Sequence, residues 1–234
     1  MNLAIIGAGE SSRIKSEGFN TPKHLIKLKG EYLIQRIIRI ARNQGAQKVI
    51  CIINSKEPEL MDYLLGNNFN IPMNLIIEDT PSSMHSLFAL APHLSKEPFC
   101  LATTDSVFRE KEFADYIRYA MLKKDSDGLL AVTRYIDDEK PLCVAMDDKN
   151  NIVELSDSKK GYELATGGIY YFSPRIFDEI PYALEAKISK LRNFLRLLVA
   201  KGYVLKGYEF SKIIDVDHVS DIEKAESFLN GSGE

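Results

Sequence analysis

No stretch of this 234-residue chain approaches the roughly 18 apolar residues that a membrane-spanning helix needs. Cysteine is scarce as well. Cys51, Cys100 and Cys143 lie far apart, each in an apolar run, with no C-x-x-C spacing. That pattern argues against a disulfide framework and a zinc site, and leaves three small buried hydrophobes as the expectation. The four histidines, His24, His85, His93 and His218, form neither H-x-x-H nor H-E-x-x-H. Lys and Arg are interleaved among Asp and Glu for a net charge of −3, with no basic block or aromatic-basic stripe, so no nucleic-acid partner is expected. There is no internal repeat, no low-complexity tract and no Gly/Ser/Pro-rich linker. The first apolar run, Leu3–Ile6, meets Gly7 too early and without the basic flank of a secretory signal, so a cytoplasmic location is expected.

What is there is an ordinary globular balance, 45% hydrophobic and 27% charged, on a chain long enough for one good α/β core. Leu3–Ile6, Val49–Ile53, Met73–Ile77 and Phe99–Thr104 are short apolar runs of the kind buried in parallel sheets. Between them, Leu33, Ile34, Ile37, Ile38 and Ala41 recur at helical spacing before Gly45. Further helices are predicted over Glu59–Leu65, from Pro81–Ser83 through Leu94, near Glu110–Leu122 and across Pro181–Val199. Strands alternating with helices predict a doubly wound, mostly parallel sheet. After about residue 128 the texture changes to strands with short turns, Leu129–Arg134, Leu142–Met146, Ile152–Leu155 and Gly167–Phe172. The organisation expected is one domain over 1–230, with a doubly wound half to about 127, a substrate-facing β-rich half over 128–230, and a flexible tail at 231–234.

Ligands of open parallel sheets bind where the loops leave the carboxyl ends of the strands. Three segments with usable chemistry fall there. Gly7-Ala8-Gly9-Glu10-Ser11-Ser12-Arg13 combines small residues with a cation, and Lys23 follows ten residues after Arg13. Small residues let backbone N–H groups approach a phosphate, while Arg and Lys neutralise it. The segment is neither a P-loop nor a complete G-x-G-x-x-G, and a plain tight turn with a solvated Arg is the alternative. Thr103-Thr104-Asp105 puts a carboxylate at the tip of a buried strand, suited to Mg²⁺ or to capping the helix near Glu110. Ile213-Ile214-Asp215-Val216-Asp217 carries two acids that would face one side of a strand, ahead of a helix start at Ser220-Asp221.

Taken in order, these segments resemble the nucleotidyltransferase superfamily of the sugar-phosphate nucleotidyltransferases, with A-G-x-S-S-R as in the molybdenum-cofactor-type branch. The resemblance runs through Pro22-Lys23-His24-Leu25, Asp79–Leu87, Thr103-Thr104-Asp105, Thr166-Gly167-Gly168-Ile169-Tyr170-Tyr171-Phe172 and Asp215-Val216-Asp217. It implies a Rossmann-like, nucleotide-diphospho-sugar transferase-like fold with a β-meander extension over the acceptor site. It also implies a Mg²⁺-dependent enzyme that joins an NTP to a sugar-1-phosphate or similar phosphorylated acceptor and releases pyrophosphate. Carried over by position, Gly7, Ala8, Gly9, Ser11, Ser12, Ser82, Ser83 and Thr104 would lie against the nucleotide. Arg13 and Lys23 would be catalytic, and Thr166, Gly167 and Gly168 would border the acceptor. Asp105 would bind Mg²⁺ with Asp217 or Asp215, Asp217 being preferred. Homo-oligomers are common among such enzymes.

Two features depart from the pattern. Glu10 stands where a small neutral residue is usual, and Glu154–Lys160 lacks an E-K-P motif. A phosphocholine-type acceptor is therefore an alternative, for which Tyr162, Glu163, Tyr170 and Tyr171 would supply a cationic cage. A non-catalytic nucleotide- or sugar-phosphate-binding regulator of the same fold is another. An NAD(P) oxidoreductase is disfavoured by the incomplete glycine fingerprint.

Overall fold

The computed structural model describes residues 1–7, 14, 16–18, 21–122 and 125–231. Ala8, Gly9, Glu10, Ser11, Ser12 and Arg13 lie outside the described residues, as do tail positions 232–234. The strands are β1 (Asn2–Gly7), β2 (Lys27–Leu28), β3 (Glu31–Tyr32), β4 (Val49–Ile53), β5 (Met73–Ile77), β6 (Phe99–Thr103) and β7 (Ser106–Val107). They continue as β8 (Gly128–Thr133), β9 (Cys143–Met146), β10 (Ile152–Ser156), β11 (Leu164–Phe172), β12 (Leu205–Phe210) and β13 (Ile214–Asp215). The helices are α1 (Leu33–Asn43), α2 (Pro58–Gly66), α3 (Ser83–Leu94), α4 (Glu110–Leu122), α5 (Ile180–Glu185), α6 (Leu191–Ala200) and α7 (Val219–Asn230).

One nine-stranded sheet runs β10-β9-β11-β6-β1-β4-β5, with β8 on β11 and β12 on β8. The block β6-β1-β4-β5 is wholly parallel, and β11 joins it antiparallel through Ile169–Phe172 against Ala102–Phe99. The expected meander is more tangled than a simple up-and-down run, because β11 lies between β8 and β9. A register shift between Thr166 and Tyr170 lets this one strand turn from β9 to β6. Strand β12 carries no period-2 signal in the sequence: Lys206 and Glu209 interrupt its apolar residues, and Leu205 and Phe210 pack into opposite core layers.

Alternation of side chains explains why the central runs are continuously apolar. Leu3 and Ile5 of β1 face a layer built from α1, α2 and α4, while Ala4 and Ile6 face α3 and α6. The three cysteines are free and buried, and burial pushes the Cys51 and Cys100 thiols up to about 12. A third, smaller core of Ile14, Ile26, Leu28, Val107, Ile214, Val216 and Ala225 underlies the region where Lys23 emerges. Among the described residues, no helix is long and apolar enough to cross a membrane.

The Pro181–Val199 stretch is two helices, not one. After α1, Gly45 takes φ 81° and the chain closes with Ala46 N–H donating to Ala41 O and Gly45 N–H to Arg42 O. The same Schellman pattern ends α5, with Ile188 N–H to Ala183 O and Lys187 N–H to Leu184 O, but the left-handed residue is Lys187 at φ 52°. Helical spacing alone cannot reveal a stop that carries no glycine. A Lys187→Gly substitution is expected to raise stability by about 0.5–1 kcal/mol, because glycine removes the Cβ penalty of this conformation at some cost in chain entropy. Urea unfolding checks this, and a lowered midpoint would contradict the assigned geometry.

Candidate active site

Four parallel strands end at one cleft of about 430 Å³: β1 at Gly7, β4 ahead of Asn54 and Lys56, β5 ahead of Asp79, and β6 ahead of Thr104 and Asp105. Its walls include Ile6, Lys23, Ser82, Ser83 and Asp217. Lys23 stands on a single 3₁₀ turn, Lys23–Leu25, which Pro22 starts and Leu25 N–H closes onto Pro22 O at 2.8 Å. The residue is only 8% exposed, so its ammonium needs partners. It has two: Nζ lies 2.6 Å from Asp105 Oδ2 and 2.5 Å from Asp217 Oδ1. Burial works against the charged lysine, but the two carboxylates outweigh it and raise its pKa. Burial likewise opposes the Asp105 carboxylate, and the Lys23 charge overrides it, holding the group at about 2.

His24 ties the same turn to the sheet. Its Nδ1 is hydrogen-bonded to Thr104 Oγ1, and its Nε2 lies 3.5 Å from the buried Glu57 carboxylate at the start of α2. Thr104, expected against the nucleotide, thus lines the cleft and anchors His24 together. Its neighbour Asp105 caps no helix, since α4 begins five residues later and β7 intervenes.

The two acids of Asp215-Val216-Asp217 do not face one side of a strand. Strand β13 stops at Asp215, and Asp217 N–H turns back to Asp215 O at 3.1 Å. Asp217 therefore meets Lys23, while Asp215 accepts a 2.8 Å hydrogen bond from Ser106 Oγ. Burial, then the Asp105 charge, pushes the Asp215 carboxyl up to about 7 despite that bond. Beyond β13, His218 and Asp221 close a capping box on α7, with Asp221 Oδ2 accepting from Asp217 N–H and His218 N–H.

A second cleft of about 280 Å³ adjoins the first and shares Ser83, Thr103 and Asp105 with it. Thr166 and Gly168 line it, with Asp138, Tyr170, Lys190, Arg192 and Asp215. Gly168 takes φ 73°, and a Cβ there would lie 2.6 Å from Thr103 Oγ1, so the backbone must pass without a side chain. Gly167 lies against Ile213 behind this wall. Tyr162, Glu163, Tyr170 and Tyr171 are not gathered into a cage. Glu163 pairs with Arg134, Tyr162 meets Glu154, and Tyr171 lines a separate cavity with Arg175, leaving Tyr170 alone at the cleft. That separate cavity, about 690 Å³ around Asp127 and Ser173, holds none of the residues predicted to touch the nucleotide, the metal or a phosphorylated sugar.

Sequence reasoning missed Asn54, Lys56 and Lys190 as cleft residues, and Ser106 as the partner of Asp215. Asn54 and Lys56 follow β4 directly, so the rule that ligands bind at strand ends points to them. Lys190 and Ser106 carry no comparable signal. As to a metal, Asp105 and Asp217 converge on a single cation, and hard carboxylate pairs completed by substrate oxygens suit Mg²⁺. No group of three or more His, Cys, Asp or Glu among the described residues is arranged to hold a metal, so a bound ion would need further oxygens from a ligand.

The raised Asp215 carboxyl sets a pH dependence. Between its ordinary 3.8 and about 7 the folded chain keeps a proton that the unfolded chain releases, so stability falls as pH rises through this window. Asp215→Asn is expected to be more stable than the parent at pH 8, by an amount on the order of a few kcal/mol, with the gap closing toward pH 4. Denaturant midpoints at both pH values test this, and parallel pH curves for the two proteins would contradict it.

The MobA-like NTP transferase domain matches residues 3–200. Among curated proteins, the bifunctional protein GlmU of Methanocaldococcus jannaschii is 24% identical over 98% of this chain and 54% of its own length. The bifunctional IPC transferase and DIPP synthase of Aquifex aeolicus is 23% identical over 96% of this chain and 51% of its own length. The chain therefore spans about half the length of these relatives. In fold it is similar to the inositol-1-phosphate CTP transferase from T. maritima, with a TM-score of 0.81 at 17% identity over 100% of this chain and 98% of that one. It is also similar to a putative glucose-1-phosphate thymidylyltransferase from Bacillus anthracis, with a TM-score of 0.84 at 16% identity over 100% and 97%. With the parallel strand ends, the Lys23 turn and the acids around it in view, the match over residues 3–200 carries the assignment: this chain belongs to the MobA-like NTP transferase family.

Proposed function

We propose that the protein is a Mg²⁺-dependent nucleotidyltransferase that joins an NTP to a phosphorylated polyhydroxy acceptor, a sugar phosphate or cyclitol phosphate, and releases pyrophosphate. The observation that carries this reading is the junction of the two clefts: they share Ser83, Thr103 and Asp105, and Lys23 meets Asp105 at that point. A nucleotide in the larger cleft and an acceptor in the smaller would bring an acceptor phosphate and an α-phosphate together there. The names of the relatives, which concern sugar and inositol phosphates, support the same acceptor class.

The reaction is an in-line displacement. An acceptor phosphate oxygen bonds to the α-phosphorus, the bond to the bridging oxygen breaks, and pyrophosphate departs with that electron pair. Bound Mg²⁺ would supply charge neutralisation at the phosphates, held by Asp105 and Asp217. Lys23 would stabilise the charge that builds on the α-phosphoryl group, and the His24–Thr104 bond would keep its turn against β6. No proton needs to move, so a cleft rich in Lys and Asp is suited to the work by position and charge. Gly7, Ala8, Gly9, Ser11, Ser12 and Arg13 would be the segment that meets the triphosphate, and Thr166, Gly167 and Gly168 would border the acceptor. The phosphocholine alternative loses its support, because the acidic and aromatic residues it needs are dispersed.

The test is pyrophosphate release with Mg²⁺, screening four NTPs against sugar 1-phosphates, inositol 1-phosphate and phosphocholine. Release should require one NTP and one acceptor. Lys23→Ala and Asp105→Asn should each lower kcat by about 10²–10³-fold, the usual scale for a charge-stabilising group. Nucleotide binding without release from any pair would favour a regulatory binding protein.

A further inference from the structure

The acceptor cleft is lined by three acids, Asp105, Asp138 and Asp215, yet the acceptor proposed for it carries a phosphate. A phosphate entering among carboxylates needs a cation, and the lining offers two, Arg192 and Lys190. Arg192 is already engaged: Nη1 lies 2.6 Å from Asp157 Oδ1, and Nη2 donates to Lys140 O at 2.8 Å. Lys190 makes no ion pair among the described residues, and its residue is exposed to the cleft mouth.

The backbone at Lys190 is unusual for a lysine. It takes φ 71° and ψ 141°, close to a region that only glycine populates readily. The conformation is held from outside. Ser82 Oγ accepts from Lys190 N–H at 3.2 Å, and Ser83 Oγ accepts from Leu191 N–H at 3.1 Å. Ser82 stands at the N-cap of α3 but makes no side-chain cap bond to its own helix. These two serines, which also line the nucleotide cleft, therefore fix the start of α6 against the start of α3. Every one of these backbone bonds would be served by glycine without strain. What glycine cannot supply is the ammonium.

We propose that Lys190 is the acceptor-binding residue that takes the phosphate of the incoming sugar or cyclitol phosphate, held in a strained backbone so that its ammonium meets the phosphate at the shared edge of the two clefts. This rests on the transferase reading above for the identity of the acceptor. The strain has a purpose in this arrangement: it turns a lysine at a helix start into the cleft, where a relaxed helical residue would follow the surface of α6. The Ser82 and Ser83 bonds make the position of Lys190 depend on the segment that borders the nucleotide, so both substrates are registered by one short junction.

The experiment uses the whole chain and three variants, Lys190→Gly, Lys190→Met and Lys190→Arg. Titration calorimetry with Mg²⁺ measures binding of glucose 1-phosphate and inositol 1-phosphate, each beside its unphosphorylated parent, and urea unfolding measures stability. The parent protein should bind at least one of the phosphates and neither free polyol. Lys190→Gly should unfold at higher urea than the parent, yet bind that phosphate about tenfold or more weakly, the scale of one lost charge-assisted contact. Lys190→Met should lose the same affinity without gaining stability, and Lys190→Arg should retain most of it. Undiminished phosphate binding by Lys190→Gly, or parent binding no better for the phosphates than for the free polyols, overturns the proposal. Pyrophosphate release on the same proteins separates the two readings. Lys190-dependent binding with no release under any NTP removes the transferase, whereas full release with an unchanged acceptor KM in Lys190→Gly removes Lys190.

Discussion

The Lys23 ammonium, held between Asp105 and Asp217, is the contact around which the candidate site is organised. A cation this buried cannot remain unpaired without a penalty of several kcal/mol. Its two carboxylates come from the tip of β6 and from just past β13, so one side chain joins segments separated by 82 and 194 residues. The supporting structure follows from that need. β13 pairs with β7, Val216 N–H donates to Asp105 O at 3.0 Å, and the small core of Ile26, Val107, Ile214 and Val216 fills the space beneath. His24 and Glu57 fasten the lysine turn from the other side.

The same geometry sorts neighbouring acids into different states. Asp105 and Asp215 both feel burial, yet the first has an ammonium beside it and is held low, while the second has a hydroxyl and a neighbouring negative charge and is pushed up. Two carboxylates in one small region would otherwise repel each other with nothing to choose between them. The placement of a single cation makes the choice, and it leaves the smaller cleft lined by three acids against Lys190 and Arg192.

Much of the fold is legible in the residues themselves. Continuous apolar runs such as Val49–Ile53 read as central strands because helices cover both faces of the sheet, so neither set of alternating side chains is exposed. Gly45 announces the end of α1 because its backbone needs a left-handed residue and glycine adopts that freely. The stop after α5 needs the same conformation but uses Lys187, and the apolar spacing continues across it, so one helix is read where two exist. β12 escapes for a related reason, its charged residues diluting the apolar signal.

For the site, the sequence by itself determined the chemistry on offer: a lysine after Pro22, an acid at the end of β6, paired acids near the end of the chain, and small residues where β11 bends. Only the tertiary structure decided which of these meet. Asp217 faces Lys23 and Asp215 faces Ser106 because the chain turns after two strand residues, a choice made by pairing with β7 and by the α7 capping box. The tyrosines and Glu163 that composition allows as a cage are dispersed by the alternation of β11 and by Arg134. Lys190 lines the smaller cleft with its N–H held by Ser82 and that of Leu191 by Ser83, more than a hundred residues away. Local sequence governs backbone preference and the sign of each charge, but pairing between distant side chains is set by packing, and packing is a property of the whole sheet and its helices.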